Sequence, residues 1–230
     1  RIRHMSSLAS STYADQVEPV LLPLDLGHRQ IPYDEGWQLQ ERVHAQVVSG
    51  EAPPTILLLE HAHVYTAGKR TEPADLPPPD EPLIVVNRGG RITWHGPGQV
   101  VAYPIVPLRQ PMDVLAFVCA LEGALIDTCA AFGLPDALRI PGRSGVWVRD
   151  EAGERKIAAI GVRVARGVAM HGVALNVDCD LAAYSRIVPC GIADAGVTSL
   201  AAEGAELPAD AVGEVATALG TRLRAALSWS

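Results

Sequence analysis

Apolar positions along this chain fall into blocks whose spacing switches between helical and extended. Residues 20–26 are a short apolar run and read as a strand. Within 33–50, Trp37, Val43, Val47 and Val48 recur among polar residues at helical spacing, with Asp34 as the expected cap and Gly50 as the stop. The run Thr-Ile-Leu-Leu-Leu at 55–59 follows Pro53 and Pro54 and has no polar face, the pattern of a strand covered on both sides. Five prolines between 70 and 82 forbid a regular element, so a surface loop is expected there. Strands are expected at 83–86 and 100–106. Residues 112–132 carry the strongest helix signal, with Asp113 placed to cap it after Pro111 and Gly133 to end it. Further strands are expected at 146–148, 156–164 and 168–177, the last two as a hairpin across Arg166 and Gly167. A short helix at 180–187 and an amphipathic helix at 209–227 follow. Strands cluster in the middle while helices fall at the start, centre and end. This is an α+β, mixed-sheet layout and not a strict βαβ alternation.

Length and charge narrow the picture. At roughly 150 residues per domain, 230 residues make one large domain, or one with a small appendage. With 48% apolar and 20% charged residues, most of the chain is expected to fold. The net charge of −7 argues against a protein that tracks nucleic-acid phosphates and leaves room for a local basic patch facing a protein partner. No uninterrupted apolar run reaches the ~18 residues of a membrane span. The first 16 residues lack the apolar core of a signal peptide. Residues 1–4, ahead of Met5, read as a cloning remnant. Residues 1–19 are therefore expected to be that remnant and a flexible N-terminus, and 20–230 the single domain. Cys119, Cys129, Cys179 and Cys190 form no CxxC pair, so free thiols in a reducing, cytoplasmic compartment are expected.

The densest candidate for chemistry is RGGRITWHGPGQVVAYPI at 88–105. Gly89-Gly90 and Gly96-Pro97-Gly98 flank a stretch ending in His95. Such glycines either bring backbone N–H groups close to a ligand or form two tight turns around a short strand, and the pattern fits both. Arg88 and Arg91 would add positive charge. There is no GxxxxGK[ST], so a P-loop is not supported. Among the thiols, Cys119 and Cys129 lie in an apolar helix and read as core residues. Cys179 sits between Asp178 and Asp180, which disfavours a thiolate. Cys190 lies between Pro189 and Gly191, at a turn, and is the best nucleophile candidate. His61 and His63 resemble a metal pair on one face of a strand end, but no third ligand follows at a metal-site spacing, and no metal is expected. His171 opens a strand and is expected to hydrogen-bond locally. Lys156, one of two lysines against 17 arginines, opens the strand at 156–164. It reads either as a half-buried cation able to activate a thiol or as an exposed lysine at a sheet edge.

Taken together, the segments EHAHVYTAGKR (60–70), RGGRITWHGPGQVVAYPI (88–105), GRSGVWV (142–148), KIAAIGVRV (156–164), HGVALNVDCDL (171–181), IVPCGI and VTSL (within 187–200) resemble the lipoyl(octanoyl) transferase family. They stand in family order across most of 20–200. The resemblance implies a biotin/lipoate protein ligase-like fold, related to class II aminoacyl-tRNA and biotin synthetases. That fold is a single α+β domain with a mixed β-sheet flanked by helices. It implies transfer of an octanoyl group from octanoyl-acyl carrier protein to a specific lysine of lipoyl domains, those of 2-oxoacid dehydrogenase E2 subunits and the glycine cleavage H protein. The family's thioester-forming cysteine maps to Cys190 and its adjacent lysine to Lys156. Substrate-binding positions map to Arg88, Gly89, Gly90, Arg91, Ile92, Thr93, Trp94 and His95, to Ala159, Ile160 and Gly161, and to Gly172, Val173 and Ala174. No cofactor, metal, nucleic acid or membrane is implied, and the protein is expected to act as a monomer in the cytoplasm.

The chemistry agrees with those roles. Lowering a free thiol's pKa of about 8.5 by ~1.5 units takes about 2 kcal/mol of preferential thiolate stabilisation, which one nearby ammonium supplies. The same lysine, once neutral, can deprotonate the incoming amine. The apolar stretches 157–160 and 173–175 are expected to wall a channel for the eight-carbon chain. The nearest rival is an ATP-dependent lipoate or biotin ligase on the same scaffold, which would form an adenylate and need no Cys190. A non-enzymatic acyl-binding module would also not depend on that thiol.

Overall fold

The computed structural model describes residues 17–109, 111–187 and 195–228. The N-terminal segment and Cys190 with its neighbours therefore lie outside the described residues. Strand β1 (Val20–Pro23) leads to helix α1 (Tyr33–Ser49) and strands β2 (Thr55–Leu59), β3 (Val64–Ala67), β4 (Leu83–Val85), β5 (Ile92–His95) and β6 (Gln99–Ile105). Helix α2 (Val114–Ala131) follows. Strands β7 (Leu138–Ile140), β8 (Arg143–Asp150), β9 (Gly153–Ala165), β10 (Val168–Asn176) and β11 (Gly196–Val197) precede the last helix, α3 (Ala211–Leu227).

The main sheet runs β1-β2-β6-β10-β9-β8-β7, with β11 paired to β9, and a second sheet runs β4-β3-β5. The β1–β2, β3–β4 and β9–β11 pairs are parallel and the others antiparallel, so the sheets are mixed as expected. β2 explains the apolar run at 55–59. Ile56 and Leu58 enter the core under α2 and α3, while Leu57 and Leu59 enter the core under α1, on the opposite face. Asp113 caps α2 by accepting a hydrogen bond from the Ala116 N–H, and Gly133 follows its end with φ of 88°. α2 is long and apolar enough to cross a bilayer by length and composition. Here it buries Phe117, Leu121 and Leu125 in the core it shares with α3.

Three expectations are corrected. Asp34 does not cap α1. Pro32 is the N-cap, without a side-chain hydrogen bond, and Asp34 lies in the first turn, where its charge meets the positive end of the helix dipole. Cys119 is exposed on α2, whereas Cys129 is buried as expected. His171 finds its partners far along the chain and not locally. Its N–H donates to Gln40 Oε1 at 2.9 Å, and its Nε2 meets Asn87 Oδ1 at 2.7 Å.

Candidate functional site

β5 alternates. Thr93 and His95 face a cavity of about 580 Å³, the size of a small-molecule site, and Ile92 and Trp94 turn the other way into a cluster with Tyr65 and Tyr184. Across the cavity, Ala159, Ile160 and Gly161 of β9 lie beside Gly172, Val173 and Ala174 of β10, and all six line it. Three segments far apart in sequence thus converge on one space. Arg88, Gly90, Arg91 and Lys156 line it too, whereas Gly89, Ile92 and Trp94 do not. Of the expected channel walls, Ala159, Ile160, Val173 and Ala174 line the cavity, Val173 also joining Ile157, Ala158 and Leu175 in the core under α2 and α3.

Close backbone approach explains the glycines here. A Cβ on Gly161 would stand 2.9 Å from Arg88 Cδ, and one on Gly172 would strike the Ala102 carbonyl oxygen and lie 2.6 Å from Pro104 Cδ. Gly172→Ala is therefore expected to cost about 1–3 kcal/mol through overpacking, read as a lower denaturant midpoint at unchanged slope.

The arginines do less electrostatic work than their sequence suggests. Arg88 is buried, and its guanidinium donates to the carbonyls of Gly89, Arg91 and Thr66 and to Thr66 Oγ1, at 2.7–2.9 Å. It stitches the 88–91 turn to β3. Arg91 forks onto Asp75 at 2.7 and 2.8 Å and reaches Glu72 at 3.1 Å. Its guanidinium holds the Asp75 carboxyl below the usual carboxylate range. The proline-rich loop, outside every sequence motif, is thereby fastened to the cavity rim.

Burial keeps three histidines neutral. His61 Nδ1 donates to the Ile31 carbonyl at 2.8 Å, which leaves Nε2 to accept from the Tyr103 hydroxyl at 2.7 Å. His95 Nδ1 donates to Gln99 Oε1 at 2.8 Å, and Gln99 is held by donating to Asn176 Oδ1 and the Tyr184 hydroxyl. Desolvation brings His61 down to about 4 and His95 to about 3. Desolvation, with the Arg88 charge second, brings His171 to about 3. None is a cation or an effective base at neutral pH. His171 also holds a left-handed φ of 57°. His63 does not share a face with His61. It accepts from Trp94 Nε1 at 2.9 Å and donates to Glu81 at 2.8 Å on the outer side. Burial, ahead of the charges of Asp178 and Asp180, pushes the Cys179 thiol up to about 12.

Lys156 is, with Arg88, a buried basic residue on the cavity. It is 7% exposed and lines the cavity, with Nζ 4.7 Å from the centroid of the Trp147 ring and no carboxylate partner among the described residues. The exposed-edge reading is therefore set aside. Cys190 lies outside the described residues, but β11, soon after it in sequence, pairs with β9 at Lys156, and the Thr198 N–H donates to the Lys156 carbonyl. Tyr33 and Tyr103, which sequence reasoning did not single out, also line the cavity. Tyr33 opens a helix and Tyr103 sits in a buried strand, positions that look like ordinary core.

Residues 32–219 match the model of the lipoyl protein ligase A/B catalytic domain. The octanoyltransferase of Salinispora tropica is 62% identical over 173 residues, covering 74% of this chain and 81% of that one. The octanoyltransferase of Thermobifida fusca is 56% identical over 184 residues, 77% of this chain and 78% of its own. Among solved structures, a bipartite lipoate protein ligase from Thermoplasma acidophilum superimposes with a TM-score of 0.62 at 15% identity, covering 90% of this chain and 84% of that one, and so shares the fold.

Proposed function

Because this chain belongs to the lipoyl protein ligase A/B catalytic domain family and stands among its octanoyltransferases, we propose that it takes its octanoyl group from octanoyl-acyl carrier protein, holds it as a thioester on Cys190 and delivers it to a lysine of a lipoyl domain. The acceptors are the lipoyl domains of E2 subunits and the glycine cleavage H protein. Residues 20–230 act as the catalytic domain, as a monomer in the cytoplasm. The Thermoplasma ligase is itself described with its E2 lipoyl domain.

One observation carries this reading: the buried amine of Lys156 opens into the cavity with no carboxylate partner among the described residues. A buried charge is costly until it is paired, so the site favours an anion beside it, the part taken by the Cys190 thiolate. In the first half-reaction the Cys190 thiolate attacks the donor thioester carbonyl, and the carrier thiolate leaves as a thiol with the proton that the Lys156 ammonium gives up. In the second, Lys156, now neutral, removes a proton from the acceptor ammonium. The freed amine attacks the Cys190 thioester, the carbon–sulfur bond breaks as the nitrogen releases its second proton to solvent, an amide forms, and the thiolate returns beside the reprotonated Lys156. Acylation of Cys190 removes the anion that favoured the charged lysine, so the order of the steps switches Lys156 from cation to base. The octanoyl chain contributes about 0.8 kcal/mol per buried CH₂ against Ile160 and Val173. The test is intact mass after incubation with octanoyl-acyl carrier protein. One octanoyl adduct, removed by hydroxylamine and missing in Cys190→Ser, is expected. An adduct undiminished in that variant would place the acyl group elsewhere.

A further inference from the structure

The geometry points to Trp147 as a positioning residue that holds Lys156 over its ring face as a cation, favouring acylation of Cys190 and opposing the deprotonation that transfer requires. This rests on the two-step reading above. Trp147 and Lys156 are cross-strand partners on β8 and β9, next to a register shift between Val146 and Trp147. Trp147 is 1% exposed, and its indole N–H donates to the Arg143 carbonyl at 3.2 Å, which fixes the ring plane. Gly145, at φ of 105°, supplies the bed for the lysine stem. A Cβ there would touch Lys156 Cε at 3.5 Å and collide with the Ala158 carbonyl. The stem thus lies over a glycine and the ammonium over an aromatic face. Arg143 also approaches this ring, its Cζ 5.8 Å from the centroid, and pairs with Glu154 at 3.0 Å.

A ring face attracts a cation and not a neutral amine, and the attraction grows as water is excluded. A carboxylate in this place would also hold the ammonium, but it would compete with the thiolate and repel it. An aromatic face holds the cation without adding a negative charge. The consequence is directional. Stabilising the ammonium helps the step that needs it and hinders the step that needs the free base.

The experiment places fluorinated tryptophans at position 147 alone in the full chain. Fluorine withdraws electron density from the ring face with little change in shape. Rapid quench then follows Cys190 acylation by octanoyl-acyl carrier protein, and separately transfer from the preformed octanoyl enzyme to a lipoyl domain. Acylation is expected to slow stepwise with fluorine content, by about tenfold at the highest substitution, while transfer holds or accelerates. Trp147→Phe should fall between wild type and Trp147→Leu in acylation rate. Parallel loss in both half-reactions would mark a merely structural role, and flat rates in both would show that the ring face is not felt. Either result overturns the proposal. Failure of the unsubstituted chain to acylate Cys190 overturns the thioester reading itself, and is seen before any variant is made.

Discussion

Lys156→Arg is expected to keep forming the octanoyl-Cys190 adduct and to stop passing it on, while Lys156→Met loses both steps. Arginine keeps a positive charge and stacks well on an aromatic face, so the Trp147 ring that receives the ammonium can also receive a guanidinium. It does not release a proton, so it cannot deprotonate the acceptor amine. Transfer should fall by about 10²–10⁴, the usual worth of a positioned general base. Methionine fills the stem's volume but leaves the thiolate without its cation. None of the three buried histidines replaces it, since burial keeps them neutral. Separate rapid-quench measurement of the half-reactions decides the point. An arginine variant that transfers at near the wild-type rate would show that Lys156 is not the base.

Acid should dismantle this fold steeply from about pH 6 downward. His61, His95 and His171 titrate near 4, 3 and 3 in the folded chain, against about 6.5 when unfolded. Above the unfolded value both states are neutral and nothing is lost. Below it the unfolded chain binds protons that the folded chain refuses, so stability falls with pH until the folded values are reached. Each histidine removes about 1.4 kcal/mol per pH unit in that window. All three act in the same direction, so the acid limb is steeper than any one of them would give. The depressed carboxyls of Asp75 and Glu203 act in the same direction at lower pH. Denaturant midpoints measured from pH 7.5 to 4 should show the slope, and His95→Gln should flatten it. A His95→Gln profile parallel to wild type would mean that His95 does not titrate as a buried neutral group.

Much of the architecture was legible because local signals agreed with tertiary ones. The run at 55–59 announced burial on two faces, Asp113 and Gly133 bracketed α2, and Arg166-Gly167 marked the hairpin. Parts of three motif segments, within 88–95, 159–161 and 172–174, line one cavity. What escaped depended on contacts between distant residues. β3 is four residues in a histidine-rich stretch and becomes a strand through β4 and β5 on either side. Arg88 looked like a free charge, because nothing local says that its guanidinium will be consumed by four oxygens of the β3–turn region. Cys119 shares α2's apolar composition but falls on its outer face. Trp147 read as one more apolar strand residue until the register set it under Lys156.

The pairing of β9 with β10 has a kinetic meaning. Ala159, Ile160 and Gly161 stand directly opposite Ala174, Val173 and Gly172, on two strands joined by Arg166 and Gly167, both with positive φ. Hairpins of this kind close in about 1–10 μs and cost little loop entropy, since their contacts are near in sequence. The two adjoining segments of the cavity floor can thus find each other before β2, β6 and the helices have docked. The slow, long-range part of folding then brings β5 and α1 to a floor that is already in register. A folding error at the β1–β2 edge distorts the rim of the sheet and leaves this floor's internal alignment untouched.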